Sequence, residues 1–144
     1  MERREFISNV GLSLTGICAV CLGACSKSNA PGGGGNGGGG GGGSVNFNIN
    51  LNSNLLNIGD SITQSGVIVV RIAAGNDAAS FTAVQVSCTH EGTSIGYNTG
   101  LGIFICPNHG SRFSTAGAVL QGPAGTNLRK YNVTINGATL NVTG

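Results

Sequence analysis

Cys88-Thr89-His90 and Cys106-Pro107-Asn108-His109 each set one thiol and one imidazole a few positions apart, with fifteen residues between the two motifs. The chain has only two histidines, and both are here. Such short spacing puts a pair on one tight loop, where both side chains can reach a common metal. Two thiolates with two neutral imidazoles are the ligand set of a 2Fe–2S cluster in which histidines replace cysteines on one iron. The same donors can close a tetrahedral structural zinc site, or they can be unliganded core residues. Zinc sites usually take cysteine with cysteine and histidine with histidine, whereas here each loop carries one of each. That distribution, twice over, favours the cluster.

Loops of this kind need a scaffold, and the surrounding residues read as short strands. Val45, Phe47, Ile49 and Leu51 alternate with asparagines, the period of two of a half-buried strand. Residues 66–72 form a β-branched run suited to a buried strand, and residues 81–86 lead straight into Cys88 after a turn at Gly75-Asn76-Asp77. Ile95 and Tyr97 are expected to face Leu101 and Ile103 across Asn98-Thr99-Gly100, a hairpin that delivers Cys106. Residues 131–135 and 138–142 flank Asn136-Gly137, the signal of a hairpin with a type I′ turn. No stretch has sustained helical periodicity. The expected fold is all-β, an antiparallel β-sandwich or small barrel over residues 45–144 with the cluster-binding loops at one end.

Composition narrows the function. The 144 residues allow one domain, and eleven of the 27 glycines fall between Gly32 and Gly43, leaving an ordinary turn-rich remainder. Charged residues are 8% of the chain and the net charge is +2, with no basic cluster interleaved with aromatics, so nucleic acid is not an expected partner. Of the five cysteines, Cys18 and Cys21 lie in an apolar N-terminal run and Cys25 ends it. With that segment removed and Cys25 modified, no pair remains for a disulfide besides the proposed ligands.

Residues 1–25 read as an export signal, with Arg3 and Arg4 before an apolar stretch from Val10 to Leu22. Leu22-Gly23-Ala24-Cys25 resembles a bacterial lipobox, which makes Cys25 the expected lipidation site. An uncleaved membrane anchor is the competing reading. The apolar run of about 13 residues is roughly 20 Å of helix, short of the ~30 Å hydrocarbon core. Arg3-Arg4-Glu5-Phe6-Ile7 also looks like the twin-arginine export motif, a route that suits a protein folded around its metal before export. The expected location is the bacterial cell envelope, lipid-anchored and facing the periplasm or exterior. Residues 26–44 are a glycine-rich linker with no side chains to bury.

From about Ile58 to the C-terminus the chain resembles the Rieske iron–sulfur proteins, on the strength of Cys-x-His followed by Cys-x-x-His-Gly-Ser. The resemblance implies a 2Fe–2S cluster with Cys88 and Cys106 on the inner iron and His90 and His109 on the outer one. It also implies that the Ser111 hydroxyl bonds a bridging sulfide, and that Gly122-Pro123-Ala124 matches the proline loop covering the cluster, though an ordinary Gly-Pro turn reads equally well. High-potential members have a tyrosine where Phe113 stands and a disulfide between the places held by Thr93 and Asn108. A lower or middling potential is therefore expected. The implied function is one-electron transfer as the membrane-tethered iron–sulfur subunit of a quinol- or periplasmic-substrate-oxidising complex. Its partners would be cytochromes or a quinol-oxidising membrane complex, and the linker either a hinge between donor and acceptor or a passive spacer. A Rieske oxygenase needs a further iron held by two histidines and a carboxylate, and no histidine is left for one. A zinc-stabilised or metal-free surface-lipoprotein binding module is the alternative, hinted at by the asparagine-rich edge.

Overall fold

The computed structural model describes residues 43–144. Expectations for the export signal, Cys25 and the glycine-rich linker up to Gly42 lie outside the described residues. Among the described residues, ten strands, every pair antiparallel, form three small sheets. In the first, β10 (Thr139–Thr143) lies between β1 (Asn46–Asn50) and β9 (Asn132–Asn136). The second is β2 (Ser61–Gln64), β3 (Val67–Arg71) and β4 (Phe81–Gln85) in sequence order. The third is β5 (Gly96–Asn98), β6 (Ile103–Ile105), β7 (Arg112–Phe113) and β8 (Val119–Gln121). One 3-10 turn at Ala78–Ser80 precedes β4, its amide capped by the Asp77 carboxylate. The all-β antiparallel architecture agrees with the sequence.

Two apolar clusters share the middle sheet. Every residue of β3 is buried, so its alternating side chains serve opposite faces. Val67 and Val69 pack with Phe47, Ile49, Phe81, Leu140 and Val142. Ile68 and Val70 pack with Val84, Ile95, Phe104, Phe113 and the two loop cysteines, Cys88 and Cys106. Each large side chain so buried contributes about 1.5–3 kcal/mol. The Val84–Lys130 bridge and the Tyr131 amide bonded to the Ala83 carbonyl join the middle sheet to the segment entering β9. Arg71 is also buried, its guanidinium donating to the Leu55 and Gly75 carbonyls and the Asn76 amide oxygen while lying over the Phe81 ring.

Two hairpins differ from expectation in register. Tyr97 faces Phe104, not Ile103, because the loop is four residues, 99–102, and leaves Leu101 exposed. The Asn98 carbonyl and side-chain oxygen hold that loop by accepting from the amides of Gly102 and Leu101. In the last hairpin Asn136 pairs with Thr139, so Gly137-Ala138 is the turn and not Asn136-Gly137. Of those two residues only Gly137 has positive φ, the backbone of a type II′ turn and not of type I′. The observed register sets Ile135 opposite Leu140 and Val133 opposite Val142, matching large apolar side chains across the strands.

The outer face of the first sheet is a grid of asparagine and threonine. Rows Asn46–Thr143–Asn132, Asn48–Asn141–Thr134 and Asn50–Thr139–Asn136 lie side by side on it. The Asn141 amide nitrogen donates to the side-chain oxygens of Asn46 (2.9 Å) and Asn48 (2.8 Å).

Candidate metal centre

Each cysteine sits where a strand ends and a tight loop begins. After β4, the Ile95 amide bonds the Val86 carbonyl and Ser87 bridges Ser94, closing the chain around residues 88–93. Within this loop the Cys88 amide donates to the Thr93 carbonyl, and the Gly92 amide to the Cys88 carbonyl, both at 2.8 Å. After β6 the pattern repeats. The Cys106 amide donates to the Ser111 carbonyl at 2.8 Å and the Gly110 amide to the Cys106 carbonyl at 3.0 Å. Gly92 and Gly110 take φ of 75° and 76°, left-handed values that favour glycine. The shared signature is therefore Cys-x-x-x-Gly-x, a likeness that the differing cysteine–histidine offsets obscure in the sequence.

This repeated turn sorts the four side chains by depth. Cys88 and Cys106 are free thiols, 3% and 2% exposed, inside the second apolar cluster. His90 and His109 are exposed, with ring centroids 5.0 Å apart and planes at 87°. All four donors proposed from the sequence thus come from two neighbouring loops. Soft thiols screened from water and imidazoles at the surface are a donor set that fits a 2Fe–2S cluster with mixed ligands.

Ser111 is completely buried. Its hydroxyl oxygen accepts from the Ala124 amide at 3.0 Å, which leaves the hydroxyl proton free to donate elsewhere. Residues 122–126 also reach the first loop, since the Thr89 hydroxyl donates to the Thr126 carbonyl at 2.6 Å. The Gly122–Pro123 peptide bond in this segment is cis. Phe113 is fully buried and brings no polar atom. Asn108 donates to the Glu91 carboxylate at 3.3 Å, and the same oxygen lies 3.6 Å from Nδ1 of His109. Glu91 was not among the residues the sequence pointed to, because the only signal there was its place next to His90. Cys25 lies outside the described residues.

Comparison with known proteins places this geometry. The profile of the Rieske [2Fe-2S] domain matches residues 56–132. The cytochrome b6-f complex iron-sulfur subunit of Prochlorococcus marinus (strain MIT 9303) is 36% identical over 64 residues, 44% of this chain and 36% of that protein. The subunit of the same name from Synechococcus sp. (strain WH7803) is 38% identical over the same shares. The chain therefore spans about a third of the length of the relatives it matches. Among solved structures, the cyanobacterial plasma membrane Rieske protein PetC3 from Synechocystis PCC 6803 superposes with a TM-score of 0.50 at 32% identity, covering 59% of this chain and 85% of its own. The ferredoxin of carbazole 1,9a-dioxygenase from Nocardioides aromaticivorans IC177 shares the fold, with a TM-score of 0.51 at 24% identity over 65% of this chain and 91% of its own. Since the domain profile covers more than half of its residues, this chain belongs to the Rieske [2Fe-2S] family and has a 2Fe–2S cluster as its cofactor.

Proposed function

We propose that the chain is a one-electron carrier whose cluster is held by Cys88, Cys106, His90 and His109. The observation that carries this reading is the pair of like-built loops, each burying its thiol and exposing its imidazole. Cys88 and Cys106 would hold the cluster from the apolar core, and His90 and His109 would hold it from the surface. When bound, the cluster supplies a single-electron couple, raised above that of an all-cysteine cluster because neutral imidazoles replace two thiolates. The exposed imidazoles are the part of the site that a partner can touch. Each keeps one ring nitrogen away from the metal, where it can hold or release a proton to a partner. With the cluster bound, the Ser111 hydroxyl would have its proton free to donate to a cluster or ligand sulfur, which would favour the reduced state. Phe113 adds no such donor, and no disulfide ties the loops, so the potential falls in the lower or middle part of the family's range.

The iron-sulfur subunits to which this chain is similar carry the name of the cytochrome b6-f complex. On that basis the partners are a quinol-oxidising membrane complex or a cytochrome. Export by the twin-arginine route and lipidation at Cys25 keep the domain on the cell envelope, facing the periplasm or exterior. Among the described residues no helix is long and apolar enough to cross a membrane.

Anaerobically purified full-length protein tests the site directly. It is expected to be red-brown, with iron and labile sulfide in equal amounts and an EPR signal on reduction. Zinc in place of iron, or a colourless protein, overturns the ligand assignment. Radiolabelled fatty acid, incorporated in wild type and not in Cys25→Ala, tests the tether.

A further inference from the structure

We propose that Glu91 is a positioning residue for the histidine pair: its carboxylate clasps the second ligand loop, and its charge lowers the potential of the site. This rests on the ligand assignment above. Potential ligand atoms of His90, Glu91 and His109 all lie within 4.8 Å of one another. One carboxylate oxygen accepts from the Asn108 amide at 3.3 Å and sits 3.6 Å from Nδ1 of His109. Among the described residues, Asn108–Glu91 is the only side-chain hydrogen bond made directly between loops 88–93 and 106–111. The other side-chain hydrogen bonds of the two loops go to the 122–126 segment, Thr89 bonding Thr126 on one side and Ser111 bonding Ala124 on the other. The clasp therefore joins the loops at their outer rim, where the imidazoles are, whereas the segment braces them at Thr89 and at buried Ser111.

The same carboxylate has an electrostatic consequence. An electron added beside a fixed negative charge is disfavoured, so Glu91 holds the oxidised state and depresses the potential. Its side chain is 56% exposed, so water and salt weaken the effect without abolishing it. Asn108, being neutral, has only the clasping role.

Three variants of the full-length holoprotein separate the two roles. Glu91→Gln keeps an oxygen that can accept from Asn108 but removes the charge. Its potential is expected to rise, by an amount that shrinks as salt is added, while its cluster is lost to excess chelator at the wild-type rate. Asn108→Leu keeps the charge and removes the bond. Its visible absorbance is expected to bleach about threefold faster under chelator, the size of an exposed charge-assisted contact, with the potential unmoved. Glu91→Leu is expected to show both changes. A wild-type potential in Glu91→Gln, or wild-type bleaching in both leucine variants, overturns the proposal while leaving a coloured wild type and its ligands intact. A colourless wild type overturns the ligand assignment, and this proposal with it.

Discussion

Loops 88–93 and 106–111 share one backbone, with the cysteine amide bonded five residues on and its carbonyl bonded to a left-handed glycine four residues on. Their surroundings differ. The first ends at half-buried Thr93 and extends Glu91 toward its neighbour, while the second ends at fully buried Ser111, fixed to Ala124. Backbone geometry thus delivers each thiol to the same depth, and what differs is the polar side chain that each loop adds beside it. One loop supplies a hydroxyl to the interior, the other a carboxylate to the rim.

Removing a donor from either loop is the largest expected effect. Cys106→Ser and His109→Ala should abolish the visible absorption and the EPR signal, and Cys88→Ser and His90→Ala should do the same. A variant that retains the wild-type spectrum breaks the equivalence of the two loops. The glycines come next. A side chain at Gly92 or Gly110 meets open space, so Gly92→Ala and Gly110→Ala are strained by conformation alone. Each should cost about 1–2 kcal/mol, lowering Tm by about 5–10 °C in a domain of this size. Unequal losses would show that the matching turns are not energetically alike.

The loop ends should separate by potential. Ser111→Ala should keep the spectrum and lower the potential by about 60–130 mV, a hydrogen bond to a charged acceptor converted for one electron. Thr93→Ala should leave the potential unchanged, and Phe113→Tyr should raise it, both read by redox titration with EPR detection. The smallest effect lies away from both loops. The Ser80 hydroxyl, donating to Asp77, holds that carboxyl below the usual carboxylate range. A lowered folded pKa adds stability above the unfolded value and loses it as pH falls through the folded one. Asp77→Asn should therefore flatten the acid side of the Tm-against-pH profile only slightly, because Asp77 is exposed.

Much of this was legible where a side chain's job is local. The alternation around Phe47 and Ile49 gave β1, and the β-branched run gave β3. The Cys-x-His and Cys-x-x-His motifs carried their own spacing. Registers were less legible, because Asn136-Gly137 is a strong turn signal that the pairing of Ile135 with Leu140 outweighs. Strand β2 went unseen since Ser61–Gln64 is a mostly exposed piece with one apolar residue, Ile62. Gly92 and Glu91 were missed for a related reason. The glycine matters through a hydrogen bond that composition does not reveal, and the carboxylate through a contact seventeen residues away.

Strand β3 lends alternate side chains to the cluster of Phe47 and Leu140 on one face and to that of Cys88 and Cys106 on the other. Neither half can melt while leaving its companion whole, since the same five-residue ribbon would have to stay folded for one and come apart for the other. Heat should therefore unfold the redox end and the far asparagine-faced sheet together, in one calorimetric peak.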